Sequence, residues 1–183
     1  LLFNQKITSM NFSSLICKIL VLVLFTKITK AQPFVTHWSN IGSTISFYAE
    51  TTGPVTYNWE SIPAAVSGSG TFTSGNVMIN VITGSSGVQL SIDSANFKSF
   101  KITYSPSPNT CLFFSVEQWG NIAWTSMEDA FNGCGLLNVN ATDTPNLSNV
   151  TSMARMFKNC TMLTVNSPIN SWNTSSVQNM REL

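Results

Sequence analysis

Trp124-Thr-Ser-Met127-Glu-Asp-Ala-Phe131-Asn-Gly-Cys134-Gly-Leu-Leu137 returns 26 residues later as Val150-Thr-Ser-Met153-Ala-Arg-Met-Phe157-Lys-Asn-Cys160-Thr-Met-Leu163. Val139 and Asn140 recur as Val165 and Asn166, and a third copy opens at Met180 and is cut off at Leu183. A fixed period in the twenties is the mark of a solenoid, whose units bury their apolar faces only against one another. Met127, Phe131, Cys134 and Leu137, with their counterparts Met153, Phe157, Cys160 and Leu163, are therefore the expected repeat core.

Within each unit two periods follow one another. Met127, Ala130, Phe131 and Cys134 stand at i, i+3, i+4 and i+7, the spacing of one helix face. Thr125 and Glu128 are placed to form a capping box, and Asn132-Gly133 and Lys158-Asn159 are stop signals. Leu137 and Val139 then alternate as a short strand. The expectation is a β/α coil of leucine-rich-repeat type. Trp119, Pro145 and Trp172 share a further position, as do Trp124, Val150 and Val177, and these predict an apolar spine.

Upstream the period changes to two. Ile45, Phe47 and Ala49 alternate with polar residues, as do Val55, Tyr57 and Trp59; Val77, Ile79 and Val81; Val88, Leu90 and Ile92; and Phe100, Ile102 and Tyr104. Alternation predicts strands with one buried face. The Ser- and Gly-rich stretches between them, Ser67-Gly-Ser-Gly70 included, read as turns. Residues 32–110 are thus expected to form an immunoglobulin-like β-sandwich, and residues 111–183 about two repeats and a partial third. The fold class expected for the whole is mixed. Ser105-Pro-Ser-Pro-Asn109 marks the junction, and Leu112 to Val116 a strand that caps the first coil.

The N-terminal segment reads as an address. Met10, Lys18, the apolar run Ile19 to Phe25 and the small Ala31 before Gln32 predict a signal peptide over residues 10–31, with residues 1–9 set aside as an upstream leader. A secreted or cell-surface protein follows, with no membrane span in the mature chain. Beyond Ala31 five basic and eight acidic residues remain, a net charge of −3, and no basic stripe exists to bind nucleic acid. Cys111, Cys134 and Cys160 are an odd number, so Cys134 and Cys160 are expected to stack as small buried thiols and not to bridge. Asn140 and Asn166 are expected to form an inward polar ladder, although Asn140 heads one of five sequons in the mature chain, with Asn146, Asn149, Asn159 and Asn173.

Catalytic chemistry finds no foothold. His37 is the only histidine and no serine lies in a nucleophile motif. Glu128 and Asp129 are neighbours that a helix would point apart. The glycines precede neither a helix nor a lysine, so no phosphate loop is present. The chain is read as a binding protein and not an enzyme, with no cofactor and no metal.

The repeats resemble those of the BspA-like leucine-rich-repeat surface proteins from Trp119 to Leu183. Pro33-Phe-Val-Thr-His-Trp38 and Glu117-Gln-Trp119-Gly-Asn-Ile-Ala-Trp124 resemble the flanks of the PKD-like sandwich domain that precedes such repeats, although Glu60-Ser-Ile-Pro63 replaces the Asp/Gly-rich turn that follows the PKD tryptophan. The resemblance implies adhesion to an extracellular protein, on host matrix or another cell, and implies a fragment of a longer protein with more coils. The alternative is a carbohydrate-binding sandwich in which Trp38, Tyr48, Tyr57 and Trp59 stack on sugar rings; in alternating strands such aromatics more often pack in the core.

Overall fold

The computed structural model describes residues 31–39, 43–82, 86–102, 113–165 and 168–183. The expectations for the signal peptide (residues 10–30), the junction at residues 105–109, Cys111 and Asn166 lie outside the described residues.

Ten strands are present among the described residues: β1 (Phe34–Trp38), β2 (Thr44–Thr51), β3 (Val55–Ile62), β4 (Ser67–Phe72), β5 (Gly75–Asn80), β6 (Gly87–Ile92), β7 (Phe97–Lys101), β8 (Phe113–Gln118), β9 (Asn138–Val139) and β10 (Thr164–Val165). One sheet has the order β10-β9-β8-β1-β6-β3-β4, the other β5-β2-β7. The two sheets pack face to face through aromatic rings. Phe34 on β1 meets Phe100 on β7 at 5.4 Å, and Phe47 on β2 meets Trp38 on β1 at 6.4 Å and Phe72 on β4 at 5.7 Å. The alternating residues Ile45, Phe47 and Ala49, and Val88, Leu90 and Ile92, are all fully buried, as period-two patterning demands.

β4 corrects the reading of Ser67-Gly-Ser-Gly70 as a turn. The segment is an edge strand paired to β3, with Gly68 opposite Trp59 and Gly70 opposite Tyr57. A Cβ on Gly68 would lie 2.6 Å from Trp59 Nε1, and one on Gly70 2.5 Å from the Tyr57 hydroxyl. The glycines are there because two large rings lie across the strand.

The sandwich and the repeats are built on one sheet. β8 pairs antiparallel with β1 on one side and parallel with β9 on the other, and β10 continues the parallel ladder. On the far side of the first coil β7 fills the place of a preceding coil: Thr125 N–H donates to Lys98 O at 3.0 Å and Ile102 N–H to Ala130 O at 3.0 Å. β7 thus caps the coil together with the expected strand β8. The buried side chains form a single cluster running from Phe34 through Trp119 to Met156. Within it the rings of Phe100, Phe131 and Phe157 follow one another at 5.8 Å spacing, the last two within 10° of parallel. Trp119, Trp124 and Trp172 bring three indole N–H groups into this core without hydrogen-bond partners, a cost that ring packing must offset.

The mixed fold class is corrected: the chain is all-β, with no α-helix among the described residues and one three-residue 3-10 turn at Ile169–Ser171. The β/α coil does not form, because the backbone hydrogen bonds go elsewhere. The N–H groups of Met127, Asp129, Phe131 and Gly133 donate to the carbonyls of Ser152, Ala154, Met156 and Lys158 in the next coil, at 2.8–3.1 Å. Those of Ala130, Asn132 and Cys134 donate three residues back, to Met127, Asp129 and Phe131. An α-helix would need i to i−4 bonds throughout. Left-handed residues enforce the alternation: Asp129 (φ 57°), Arg155 (φ 54°) and Glu182 (φ 54°) share one coil position, and Gly133 (φ 82°) and Asn159 (φ 61°) share another. The shared position at Glu182 and the parallel bridge between Ser152 and Asn179 put the third coil 27 residues on, one more than the first step. The capping box is absent too: Ser126 Oγ, not Thr125, accepts from Glu128 N–H at 3.1 Å, and Ser152 and Asn179 repeat this short turn at Ala154 and Arg181.

Candidate functional site

The eight repeat-core residues divide by coil. Met127, Phe131, Cys134, Leu137 and Met153 are buried, whereas Phe157, Cys160 and Leu163 are partly buried against the same cluster. Cys134 is disulfide-bonded and Cys160 is free, so the two do not bridge, and the expectation of a ladder of thiols is corrected to one thiol. Burial pushes the Cys160 thiol up to about 11, and its Sγ donates to Phe131 O at 3.1 Å, which leaves it a weak nucleophile. Asn140 Nδ2 donates to Glu117 Oε1 on β8 at 3.0 Å. Of the residues predicted to form the spine, Trp119 lies edge-on to Trp172 at 5.2 Å, and Trp124 and Val150 are fully buried. Asp143 clasps the start of the first coil, its two carboxylate oxygens accepting from Trp119 and Gly120 N–H at 3.0 and 2.8 Å.

Glu128 and Asp129, expected to point apart, converge. Arg155 from the next coil donates Nε and Nη2 to Asp129 at 2.8 Å each, and Nη2 also to Glu128 at 2.9 Å. This fork holds the Asp129 carboxyl below its ordinary range, with Asn132 adding a bond, and holds Arg155 protonated above its own. One coil further Glu182 meets Lys158 and Arg181, and Lys158 chiefly lowers its carboxyl. Each pair crosses a coil boundary or sits beside one, so the carboxylates of Glu128 and Asp129 are engaged in holding two coils in register.

Two surfaces remain available. On the repeats, Leu136 and Met162 occupy equivalent positions, 54 % and 65 % exposed, joined by the Met162 N–H bond to Gly135 O at 2.9 Å. They form an apolar step repeated from one coil to the next, outside the period of the buried residues.

The other surface is the outer face of the large sheet. Strand register lines up Ser67, Glu60, Gln89, His37, Ser115, Asn138 and Thr164, one polar residue from each of seven strands, of which Ser115 is fully buried. At the β4 end this face opens into a groove of about 530 Å³ lined by Asn58, Trp59, Glu60, Ser67, Gly68, Ser69, Gln89 and Ser91. His37 on the same face places its Nε2 2.8 Å from Ser86 O. The aromatics of the alternative, sugar-stacking reading make no exposed platform at Trp38 or Trp59. Trp38 is 3 % and Trp59 8 % exposed, Trp38 donates Nε1 to Thr36, and Tyr57 lies against Phe72.

Residues 109–183 match the model of a family described as "Mycoplasma protein of unknown function, DUF285". The match covers the repeats and less than half of the chain, and its description assigns no activity. No curated protein and no solved structure matches the chain significantly.

Proposed function

We propose that the chain is a secreted or cell-surface adhesion module that binds an extracellular protein through its repeats. The observation that carries this reading is the apolar step of Leu136 and Met162. Single exposed apolar residues are ordinary, but here one position in successive coils is kept apolar and in the open. Methionine and leucine at such a step suit a protein surface that molds itself to a partner. The step rests on a rigid base, since the first coil is hydrogen-bonded to β7 and shares its core with the sandwich. Rigid presentation lowers the ordering cost of binding. Two further facts support the extracellular setting: Cys134 is in a disulfide, and such bonds persist in oxidising compartments. The resemblance of Trp119 to Leu183 to BspA-like surface proteins points the same way.

The test is binding of the full chain to immobilised fibronectin, laminin and collagen by interferometry. The double variant Leu136→Ser, Met162→Ser is expected to weaken the strongest of these interactions by about tenfold or more, as removal of a small apolar anchor does. Its circular dichroism and unfolding midpoint should match those of the parent, because both side chains are exposed. Equal binding by parent and variant would contradict the role given to this step.

A further inference from the structure

We propose that the groove on the outer sheet face is a binding site for neutral glycans. It lies on a different surface from the repeat step and needs neither Leu136 nor Met162.

The groove is a grid set by strand register. Ser67, Glu60 and Gln89 form one row across β4, β3 and β6, and Ser69, Asn58 and Ser91 form the next. Strands lie about 4.8 Å apart, and alternate residues along a strand about 6.7 Å, so the grid has the scale of a sugar ring and its hydroxyls. All six side chains are polar, and none is hydrogen-bonded to another protein group among the described residues. Elsewhere on the same face this capacity is consumed internally, where Ser115 and Asn140 both donate to Glu117 Oε1.

The chemistry of the six selects the ligand. Asn58 and Gln89 each offer a donor and an acceptor, the serines offer both, and Glu60 accepts only. That mixture matches sugar hydroxyls, which both donate and accept. Glu60 forms no ion pair among the described residues, and no lysine or arginine lines the groove. A phosphate, sulfate or carboxylate would meet the Glu60 carboxyl with no basic side chain beside it, so the ligand is not an anion. The lining is polar, unlike the mainly apolar walls of sites for drug-like molecules, which argues against an apolar ligand.

The experiment is an NMR titration of the full chain with cellohexaose, xylohexaose and mannohexaose. At least one should shift the amide signals of residues 58–60, 67–69 and 89–91. The pair Asn58→Ala, Gln89→Ala should weaken that binding by about tenfold or more, and Glu60→Gln by a smaller factor. Thr71→Ala, on the same strand outside the groove, should bind as the parent does, as should the double variant Leu136→Ser, Met162→Ser. No shift at about 10 mM of any of the three sugars would overturn the proposal. So would shifts confined to the repeats, or binding that the groove variants leave unchanged. Loss of matrix-protein binding without loss of sugar binding would separate this site from the repeat step.

Discussion

In the sandwich, hydrogen bonds join antiparallel strands, and alternate side chains enter the core. In the first coil alternate N–H groups cross to the next coil while those between close tight turns, and Met127, Phe131 and Cys134 enter the same core at spacings of four and three. The two regions bury similar side chains by different backbone routes. The comparison teaches that apolar spacing states which residues share an interior, but not how the chain between them is bonded.

This difference decides what was legible. Strands β2, β3, β5 and β6 formed where their alternation lies, whereas β7 spans Phe97–Lys101 and meets the alternation of Phe100, Ile102 and Tyr104 only at its start. The stacking of Phe131 on Phe157 was legible from the repeat alone. The helix was misread because i, i+3, i+4, i+7 spacing also fits consecutive turns. The left-handed position held by Asp129, Arg155 and Glu182 carries no common residue to reveal it. Only the other one, at Gly133 and Asn159, uses residues that favour positive φ, and these appeared as stop signals. β4 was hidden because its glycines serve Tyr57 and Trp59 on the facing strand, and no local pattern records a cross-strand contact. The groove escaped for a similar reason: its six polar residues come from three separated segments and meet only through register.

Substitutions sharpen the contrast. Phe131→Ala should destabilise the chain most, by about 3–5 kcal/mol, because the ring is fully buried between the sandwich ring Phe100 and the coil ring Phe157. Phe157→Ala should cost about half as much, since that ring is only partly buried. Urea denaturation compares them, and equal losses would mean that the second coil is as deeply integrated as the first. Gly68→Ala probes the sandwich edge instead. Its Cβ would crowd Trp59, and a loss of about 1–3 kcal/mol is expected in the same assay. A neutral result would show that the indole yields freely.

The smallest effect concerns the charges between coils. The carboxyls of Asp129 and Glu182 are lowered in the folded chain, so the stability they contribute is present above their ordinary values near 3.8 and 4.5 and is lost as pH falls through the lowered ones. The unfolding midpoint should therefore drop on acidification below about pH 4.5, and Asp129→Asn should flatten part of that drop. At pH 7 the same variant should cost only about 0.5–1 kcal/mol, because the pair is partly open to water. An unchanged acid profile in Asp129→Asn would remove the Arg155 fork from the account of coil register.

The central claim is that sandwich and repeats are one cooperative body, joined by the β1–β8–β9 sheet and the Phe100–Phe131 contact. Hydrogen exchange read by mass spectrometry along a urea series tests it most directly, by following residues 44–51 of β2 and residues 124–139 of the first coil in the same molecules. Both segments should lose protection at one urea concentration, and Phe131→Ala should move both to the same lower one. If the first coil opens at lower urea while β2 stays protected, the two regions fold separately and the account is wrong.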